Sequence, residues 1–261
     1  MADQAPLVFA HRGGAAALPE HTLAAYRRSV AAGVDGIECD VRLTRDGQLV
    51  CHHDATVDRT STGRGRVSAL SLAELDRFDY ASWHPGAAGE APAQGILTFD
   101  ALLRFVLDVG RPLRILVETK HPSRFGAEVE RRLVELLGRY GLHTAAGARE
   151  HGVAVTVMSF SPLAVRRVRM LAPDLPTVFL FEVAAPSVWR GRPPTGADLL
   201  GPGIKALRNR TEVVRLAHDR GADVYVWTVN EPADVGLMLE LGVDGIISDR
   251  PADVRTRLGH T

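Results

Sequence analysis

The chain has 261 residues, 46% of them hydrophobic and 24% charged, and its formal net charge is zero. This length suits one large domain or two small ones, and the balanced charge gives no general attraction to nucleic acid or anionic lipid. The two cysteines, Cys39 and Cys51, argue against a disulfide framework, and no apolar run approaches the roughly 20 residues of a membrane span. The N-terminal residues lack the basic and apolar parts of a secretory signal, so a cytoplasmic enzyme is expected.

Short apolar runs rich in β-branched residues recur along the chain and predict strands. Most of these runs are continuous rather than alternating, which is typical of a parallel sheet buried on both faces. Strands are predicted at residues 7–10, 36–41, 114–120, 153–160, 177–182, 197–201, 224–229 and 244–249.

Amphipathic stretches between these runs predict helices, and most of them end at glycine. They cover residues 19–33, 125–141, 211–221, 231–242 and 251–259. The sequence VDGI occurs at 34–37 and again at 243–246, each time between a helix and a strand. Eight strands in repeated β-α order favour a (β/α)8 TIM barrel over a doubly wound sheet. We therefore expect an α/β fold, with residues 1–261 forming one catalytic domain.

Residues 42–95 do not follow the β-α order. They contain a turn signal at Asp46-Gly47, a second glycine-rich turn at 61–66 and a short helical pattern at 71–78. Structureless loops of this length are rare in compact domains. We therefore predict a hairpin and a small insertion, or cap, after the second barrel strand.

The hairpin at the start of this insertion can be given a register. If Asp46-Gly47 is the centre of a two-residue type I′ turn, Asp40 lies opposite His53. Glu38 is two residues from Asp40 on the same strand and therefore shares its face. This register predicts that both acids and the His53 imidazole meet at the mouth of the barrel.

The same register makes two further predictions. It turns His52 away from the acids, and it places Cys39 and Cys51 on opposite faces, which argues against a disulfide between them. Because side chains alternate along a strand, a shift of one residue would reverse all of these orientations.

Active sites of parallel α/β barrels lie at the carboxyl ends of the strands, so acidic residues there are candidates for function. Glu38 and Asp40 are on the second predicted strand and Glu118 is on the third. These three oxygen donors have no cysteine aligned with them, and hard donors suit Mg²⁺ or Ca²⁺ better than zinc. A lone E-x-D pair is also typical of a solvated strand face, so both interpretations stay open at this point.

Basic and aromatic residues accompany these acids. His11 follows the first strand and His53 follows the hairpin, and the ordinary imidazole pKa of about 6.5 suits general acid and base catalysis. Arg12 and Lys120 could bind a phosphate oxyanion. Trp227, on the seventh predicted strand, fits either barrel packing or a binding site.

Several motifs along the chain resemble those of a known family. HRGGAAALPEHT at 11–22 and GIECDVRLTRDGQLVCHHDATVDRTSTG at 36–63 are similar to glycerophosphodiester phosphodiesterases. The match continues with ETK at 118–120, VYVWTVN at 224–230 and DGIISDRP at 244–251. The resemblance covers nearly the whole chain and implies a TIM barrel with a small insertion after its second strand.

The resemblance also implies a reaction, which is hydrolysis of small-molecule glycerophosphodiesters to glycerol 3-phosphate and an alcohol. It implies attack by the neighbouring glycerol hydroxyl, which gives a cyclic phosphate that water then opens. The residue roles it implies are Mg or Ca on Glu38, Asp40 and Glu118, acid/base catalysis by His11 and His53, and phosphate binding by Arg12 and Lys120. The alcohol head group, the choice of metal and the oligomeric state are left open, as are roles for Glu20 and His21.

Three other classes of protein compete with this interpretation. A phospholipase C or sphingomyelinase D type of barrel shares the two-histidine chemistry but fits the motifs less well. A non-catalytic binding relative would be expected to lack some of the catalytic residues. A zinc amidohydrolase would carry H-x-H on its first strand, where this chain has His11-Arg12-Gly13.

Overall fold

The computed structural model describes residues 5–87 and 94–259. Eight parallel strands form a closed barrel, as the sequence predicts, and a ninth strand pairs antiparallel outside it. Residues 88–93 of the predicted insertion and the ends of the predicted domain lie outside the described residues. The barrel strands are β1 (Leu7–Ala10), β2 (Gly36–Leu43), β4 (Leu113–Thr119), β5 (Val153–Ser159), β6 (Thr177–Phe181), β7 (Leu199–Pro202), β8 (Asp223–Val226) and β9 (Gly245–Ser248), and the outer strand is β3 (Leu49–Cys51).

Helices surround the barrel, and their apolar faces pack against the outer side of the strands. No helix among the described residues is long and apolar enough to cross a bilayer. The helices are α1 (Leu23–Ala31), α2 (Leu72–Leu75), α3 (Phe99–Leu107), α4 (Glu128–Arg139), α5 (Ala145–His151), α6 (Pro162–Leu171), α7 (Pro186–Trp189), α8 (Ile204–Leu207), α9 (Glu212–His218), α10 (Pro232–Leu241) and α11 (Pro251–Arg257).

The repeated VDGI sequence marks two equivalent joints of the barrel. The Asp35 carboxylate, just before β2, accepts a hydrogen bond from the Val8 N–H of β1 at 2.8 Å. The Asp244 carboxylate, just before β9, accepts one from the Val224 N–H of β8 at 2.7 Å. Each aspartate therefore links the start of its strand to the neighbouring strand. The glycine that follows is needed because an aromatic ring occupies the adjacent interior. A Cβ on Gly36 would lie 2.6 Å from the Phe9 ring, and one on Gly245 would lie 2.7 Å from the Tyr225 ring.

The barrel interior is filled by apolar side chains. This inner cluster packs below the carboxyl ends of the strands and gives the polar residues above it a rigid, apolar floor. Its buried members are Phe9, Leu116, Met158, Val178, Leu180, Leu199, Tyr225 and Ile247.

The predicted register of the β2–β3 hairpin is wrong by one residue. The observed pairs are Val41–Cys51, Arg42–Val50 and Leu43–Leu49. The connection has three residues rather than two, because the N–H of Thr44 donates to the carbonyl of Gln48 at 3.0 Å. Three-residue hairpin loops place a left-handed residue last, and that residue here is Gly47, with φ of 77°.

The corrected register places the two cysteines on the same face, contrary to the prediction. Both are free thiols, and both are buried in the same apolar cluster between the barrel and its helices. Burial, together with the neighbouring Cys51, raises the pKa of the Cys39 thiol well above its ordinary value.

His53 nevertheless reaches the mouth of the barrel, because strand β3 ends at Cys51 and the hairpin hydrogen bond that follows, from the His52 N–H to the Asp40 carbonyl at 3.0 Å, still precedes His53. The guanidinium of Arg42 donates two hydrogen bonds to the His53 carbonyl, at 3.0 and 2.7 Å, and holds the turned backbone. His52 is buried elsewhere, where its Nε2 lies 2.9 Å from the carbonyl oxygen of Thr56. The structure thus places His53, and not His52, at the cleft, although alternation along the strand is the wrong reason to expect this.

Residues that follow the hairpin form a small satellite core of their own. The buried side chains of Val57, Val67, Leu75 and Tyr80 pack with Val50 of β3. Helix α2 closes this unit with a capping box, in which the Ser71 side chain accepts from the N–H of Glu74 and the Glu74 carboxylate accepts from the N–H of Ser71.

Candidate active site

A cleft of about 480 Å³ opens at the carboxyl ends of the barrel strands. It brings together seven of the eight residues that the sequence nominates, and the eighth, Asp40, forms ion pairs with two of them, Arg12 and Lys120. One end is charged, whereas the other is largely apolar and aromatic. The nominated residues that line it are His11, Arg12, Glu38, His53, Glu118, Lys120 and Trp227.

Three carboxylates form the floor of the charged end. Glu38 and Asp40 are two apart on β2, and Asp40 pairs in register with Glu118 on β4. One oxygen from each carboxylate lies within 4.8 Å of the others, and the three residues are only 2%, 1% and 8% exposed. Burial and the nearby Asp40 raise the pKa of Glu38 well above its ordinary value and that of Glu118 to about 8. Buried carboxylates this close repel one another, which favours a bound cation.

Two cationic side chains partly compensate this charge. Lys120 Nζ lies 2.7 Å from Glu118 Oε1 and 3.3 Å from Asp40 Oδ1. Arg12 Nε lies 3.2 Å from Asp40 Oδ2. Although burial opposes ionisation of Asp40, Lys120, His21 and Arg12 together hold the pKa of this carboxyl well below its usual range.

The loop after β1 positions Arg12 by an unusual backbone conformation. Arg12 has φ of 51°, in the left-handed region that non-glycine residues rarely adopt, and its backbone N–H donates to Glu38 Oε2 at 2.9 Å. Gly13 follows with φ of 88°, and a Cβ there would lie 2.9 Å from the Ala25 Cβ. The HRGG motif therefore allows α1 to pack closely while the backbone turns towards Glu38.

His21, for which the sequence assigns no role, supports the carboxylates from below. Its Nε2 lies 2.9 Å from Asp40 Oδ2, and its Nδ1 lies 2.9 Å from the Tyr26 hydroxyl. The hydroxyl in turn lies 3.2 Å from the Glu38 carbonyl. Burial lowers the pKa of His21, so a neutral imidazole donates to Asp40 and fixes its orientation.

His11 is held by a carboxylate from the far end of the chain. Its Nδ1 lies 2.6 Å from Asp249 Oδ1. The Asn230 side chain donates to the other oxygen of Asp249 at 2.7 Å and accepts from the Asp249 backbone N–H at 2.9 Å. A carboxylate on Nδ1 selects the tautomer that carries its proton there, which leaves Nε2 for the cleft.

His53 has the same arrangement with a different acid. Its Nδ1 lies 2.6 Å from Asp54 Oδ1, and Arg59 donates to the other oxygen of Asp54 at 2.6 Å. Burial lowers the pKa of His53 to about 4, so the imidazole is neutral at neutral pH. Both histidines thus present an unpaired Nε2, among the described residues, to a common cleft.

Glu20 connects Arg12, beside the carboxylates, to Arg59, which holds Asp54 next to His53. Its carboxylate accepts from Arg12 at 3.1 Å and from both terminal nitrogens of Arg59 at 2.8 and 2.9 Å. Although burial opposes ionisation, these guanidinium partners lower its pKa from 4.5 to about 2. Glu20 therefore holds the Arg12 side chain in place.

This pKa shift predicts a pH-dependent stability. A depressed pKa stabilises the fold above the unfolded value of 4.5, by about 3 kcal/mol, and the contribution is lost as pH falls towards 2. We expect Glu20→Gln to lower the free energy of unfolding by about that amount at pH 6 and by about half as much at pH 3. Urea denaturation of both proteins at the two pH values measures it. A difference that stays constant with pH would contradict an ionised Glu20.

The opposite wall of the cleft is aromatic. The Trp227 indole donates to the Gly201 carbonyl at 2.8 Å and lies edge-on to Phe160, with ring centroids 5.2 Å apart. The sequence leaves open whether Trp227 packs or binds, and the structure shows that its ring lines the cleft.

These residues fit a divalent cation. The donor set consists of carboxylate oxygens only, it is buried, and its members lie close enough to share one ion. Such a set suits Mg²⁺ or Ca²⁺. Metal binding itself stays a prediction for Glu38, Asp40 and Glu118.

Sequence reasoning missed the residues that hold the catalytic candidates in place. Asp54 adjoins His53, and its position alone could have drawn attention to it. Asp249 is 238 residues from His11, and only the closure of the barrel between β1 and β9 brings them together. His21 and Arg59 act through ion pairs and hydrogen bonds that spacing does not predict.

Residues 11–253 match the sequence profile of the glycerophosphoryl diester phosphodiesterase family. The chain therefore belongs to this family and is a phosphodiesterase of the TIM-barrel class. It is 45% identical over 258 residues to a probable glycerophosphodiester phosphodiesterase 1 of Mycobacterium tuberculosis, covering 97% of this chain and 92% of that protein. It is 33% identical to a glycerophosphodiester phosphodiesterase of Bacillus subtilis, covering 94% and 84%.

Solved structures share the fold. A putative glycerophosphoryl diester phosphodiesterase of Silicibacter pomeroyi superimposes with a TM-score of 0.80 at 25% identity, over 97% of this chain and 92% of that one. An Oleispira antarctica phosphodiesterase, solved in complex with its product sn-glycerol-3-phosphate, superimposes with a TM-score of 0.82 at 24% identity, over 97% of each chain.

Proposed function

We propose that this protein hydrolyses glycerophosphodiesters to sn-glycerol 3-phosphate and an alcohol, with a divalent metal and two histidines. The observation that carries the proposal is a pair of imidazoles, His11 and His53, that face one cleft beside three buried carboxylates. The names of the bacterial relatives and the product bound by the Oleispira enzyme support this substrate class.

Glu38, Asp40 and Glu118 are the proposed holders of the metal. When bound, a divalent cation would neutralise negative charge on the phosphate oxygens of the substrate. The Arg12 guanidinium and the Lys120 ammonium, which line the same end of the cleft, are the proposed protein groups on the phosphate. Their pKa values are raised by the surrounding carboxylates in spite of burial, so both stay charged.

The two histidines divide the proton transfers. His53 is neutral at pH 7, so its Nε2 is the proposed base that takes the proton of the attacking glycerol hydroxyl. His11, whose Nδ1 is held 2.6 Å from Asp249 Oδ1, is the proposed acid that protonates the departing alkoxide. Attack by a hydroxyl of the same molecule gains a large effective concentration. Water then opens the cyclic phosphate with the two roles exchanged.

The insertion contributes to this site directly. His53, Asp54 and Arg59 all belong to residues 42–95, and Arg59 bonds to Glu20 of the barrel. We propose that residues 1–261 act as one catalytic domain, with 42–95 as a cap that supplies one of its two histidines.

A coupled assay for glycerol 3-phosphate tests the function. Purified protein is incubated with a panel of glycerophosphodiesters that differ in their alcohol, with Mg²⁺ or Ca²⁺ and with chelator. Product release from at least one member of the panel is expected only with metal present. Failure to release product from any of them, with either metal present, would favour a binding protein instead.

A further inference from the structure

The cleft continues from the charged end to a second wall that the proposed chemistry does not use. This wall, the aromatic end, consists of Phe160, Glu182, Val183 and Trp227, which follow or lie next to the ends of β5, β6 and β8. Phe160 is 42% exposed and Val183 is 92% exposed, and both are among the few large hydrophobic side chains that are exposed to solvent in the described residues. Because exposed apolar and aromatic side chains here line one wall of a cleft, they indicate contact with a ligand.

Glu182 is the only acidic member of the aromatic end. Among the described residues it makes no hydrogen bond or ion pair, unlike the carboxylates of the charged end. Its side chain packs beside the Trp227 ring over the bare backbone of Gly203, where a Cβ would lie 3.1 Å from Glu182 Cγ and 3.3 Å from Trp227 Cζ2. An exposed carboxylate with no partner among the described residues thus lies near the Trp227 ring at the edge of the cleft.

Resting on the proposed function, we propose that the aromatic end recognises a cationic alcohol group, a quaternary or primary ammonium, on the leaving side of the substrate. An organic cation is attracted both by aromatic faces and by a carboxylate, and its methyl or methylene groups bury well against Phe160 and Val183. The arrangement separates the charges of such a substrate, with the phosphate at Arg12 and Lys120 and the cation at Glu182.

A neutral or polyhydroxylated alcohol has no charge to pair with Glu182. It would also leave the apolar wall facing hydroxyl groups, which prefer water or hydrogen-bond partners. The structure therefore assigns Glu182 as a specificity-determining residue. The two histidines and the phosphate-binding residues Arg12 and Lys120 would contact parts that all glycerophosphodiesters share.

The test compares two substrates, glycerophosphocholine and glycerophosphoglycerol, in the metal-loaded enzyme. We expect Glu182→Gln to lower the ratio of their kcat/KM values roughly five- to tenfold, mainly through a higher KM for the cationic diester. Phe160→Leu, which keeps apolar volume and removes the ring, is expected to lower the same ratio about threefold. Glu240→Gln is the matched control, because Glu240 is exposed near the end of α10 and the helices of such a barrel run back from the cleft.

The outcomes separate this inference from the proposed function. If wild-type protein releases glycerol 3-phosphate from both diesters and the ratio is the same in Glu182→Gln, the head-group assignment is wrong and the hydrolase assignment stands. If wild-type protein hydrolyses neither diester with metal present, the proposed function itself fails. A change of the ratio in Glu240→Gln as large as that in Glu182→Gln would also overturn the assignment, since any lost carboxylate would then suffice.

Discussion

Replacement of His53 by alanine is expected to lower kcat by about 10²- to 10⁴-fold, the usual contribution of a general acid or base. The side chain borders the cleft through its Nε2, while Nδ1 is held 2.6 Å from Asp54. Removing it leaves the carboxylates, Arg12 and Lys120 in place, so substrate binding and the fold are expected to persist. Steady-state kinetics on a glycerophosphodiester, together with the thermal unfolding midpoint, measure both effects. His11→Ala is expected to behave in the same way.

The adjacent histidine provides the control. His52 has its Nε2 on the Thr56 carbonyl, and glutamine at this position can donate the same hydrogen bond from its amide. His52→Gln is therefore expected to stay within about threefold of wild-type activity. Full activity in His53→Ala, or an equal loss in His52→Gln, would show that the assignment of the two histidines is wrong.

Glu118→Gln is expected to weaken divalent-metal binding by at least about tenfold and to lower turnover by about 10²-fold or more. The substitution keeps the shape of the side chain and removes one of the three carboxyl groups whose oxygens lie within 4.8 Å of one another. Because burial and Asp40 raise the pKa of Glu118 to about 8, this side chain is largely uncharged at pH 7 without metal, and the metal-free variant is expected to be about as stable as the metal-free wild type. Isothermal calorimetry with Mg²⁺ and Ca²⁺, and thermal unfolding with and without chelator, measure these effects separately from activity.

The control for this substitution again lies outside the cleft. Glu240→Gln removes a carboxylate at an exposed position and is expected to leave metal affinity and the metal-induced rise of the unfolding midpoint unchanged. The proposed metal centre would be contradicted if neither metal nor chelator changed the unfolding midpoint and the activity of the wild-type protein.

The sequence by itself determined the barrel and the candidate residues at its mouth. Short continuous apolar runs rich in β-branched residues are typical of strands buried on both faces. The VDGI joints repeat because each supplies an aspartate that accepts a hydrogen bond from a neighbouring strand and a glycine beside an aromatic ring. Glu38 and Asp40 could be placed on one face because alternation is strict within a strand that stays paired.

Only the tertiary structure decided what holds these residues in place. The hairpin register depends on one residue of turn length, which the Asp46-Gly47 signal does not specify, and alternation fails at His53 because strand pairing has already ended. The partner of His11 is supplied by Asp249, which the closing of β1 against β9 brings to it. Local periodicity contains no information about such contacts, because they depend on where distant strands end relative to one another.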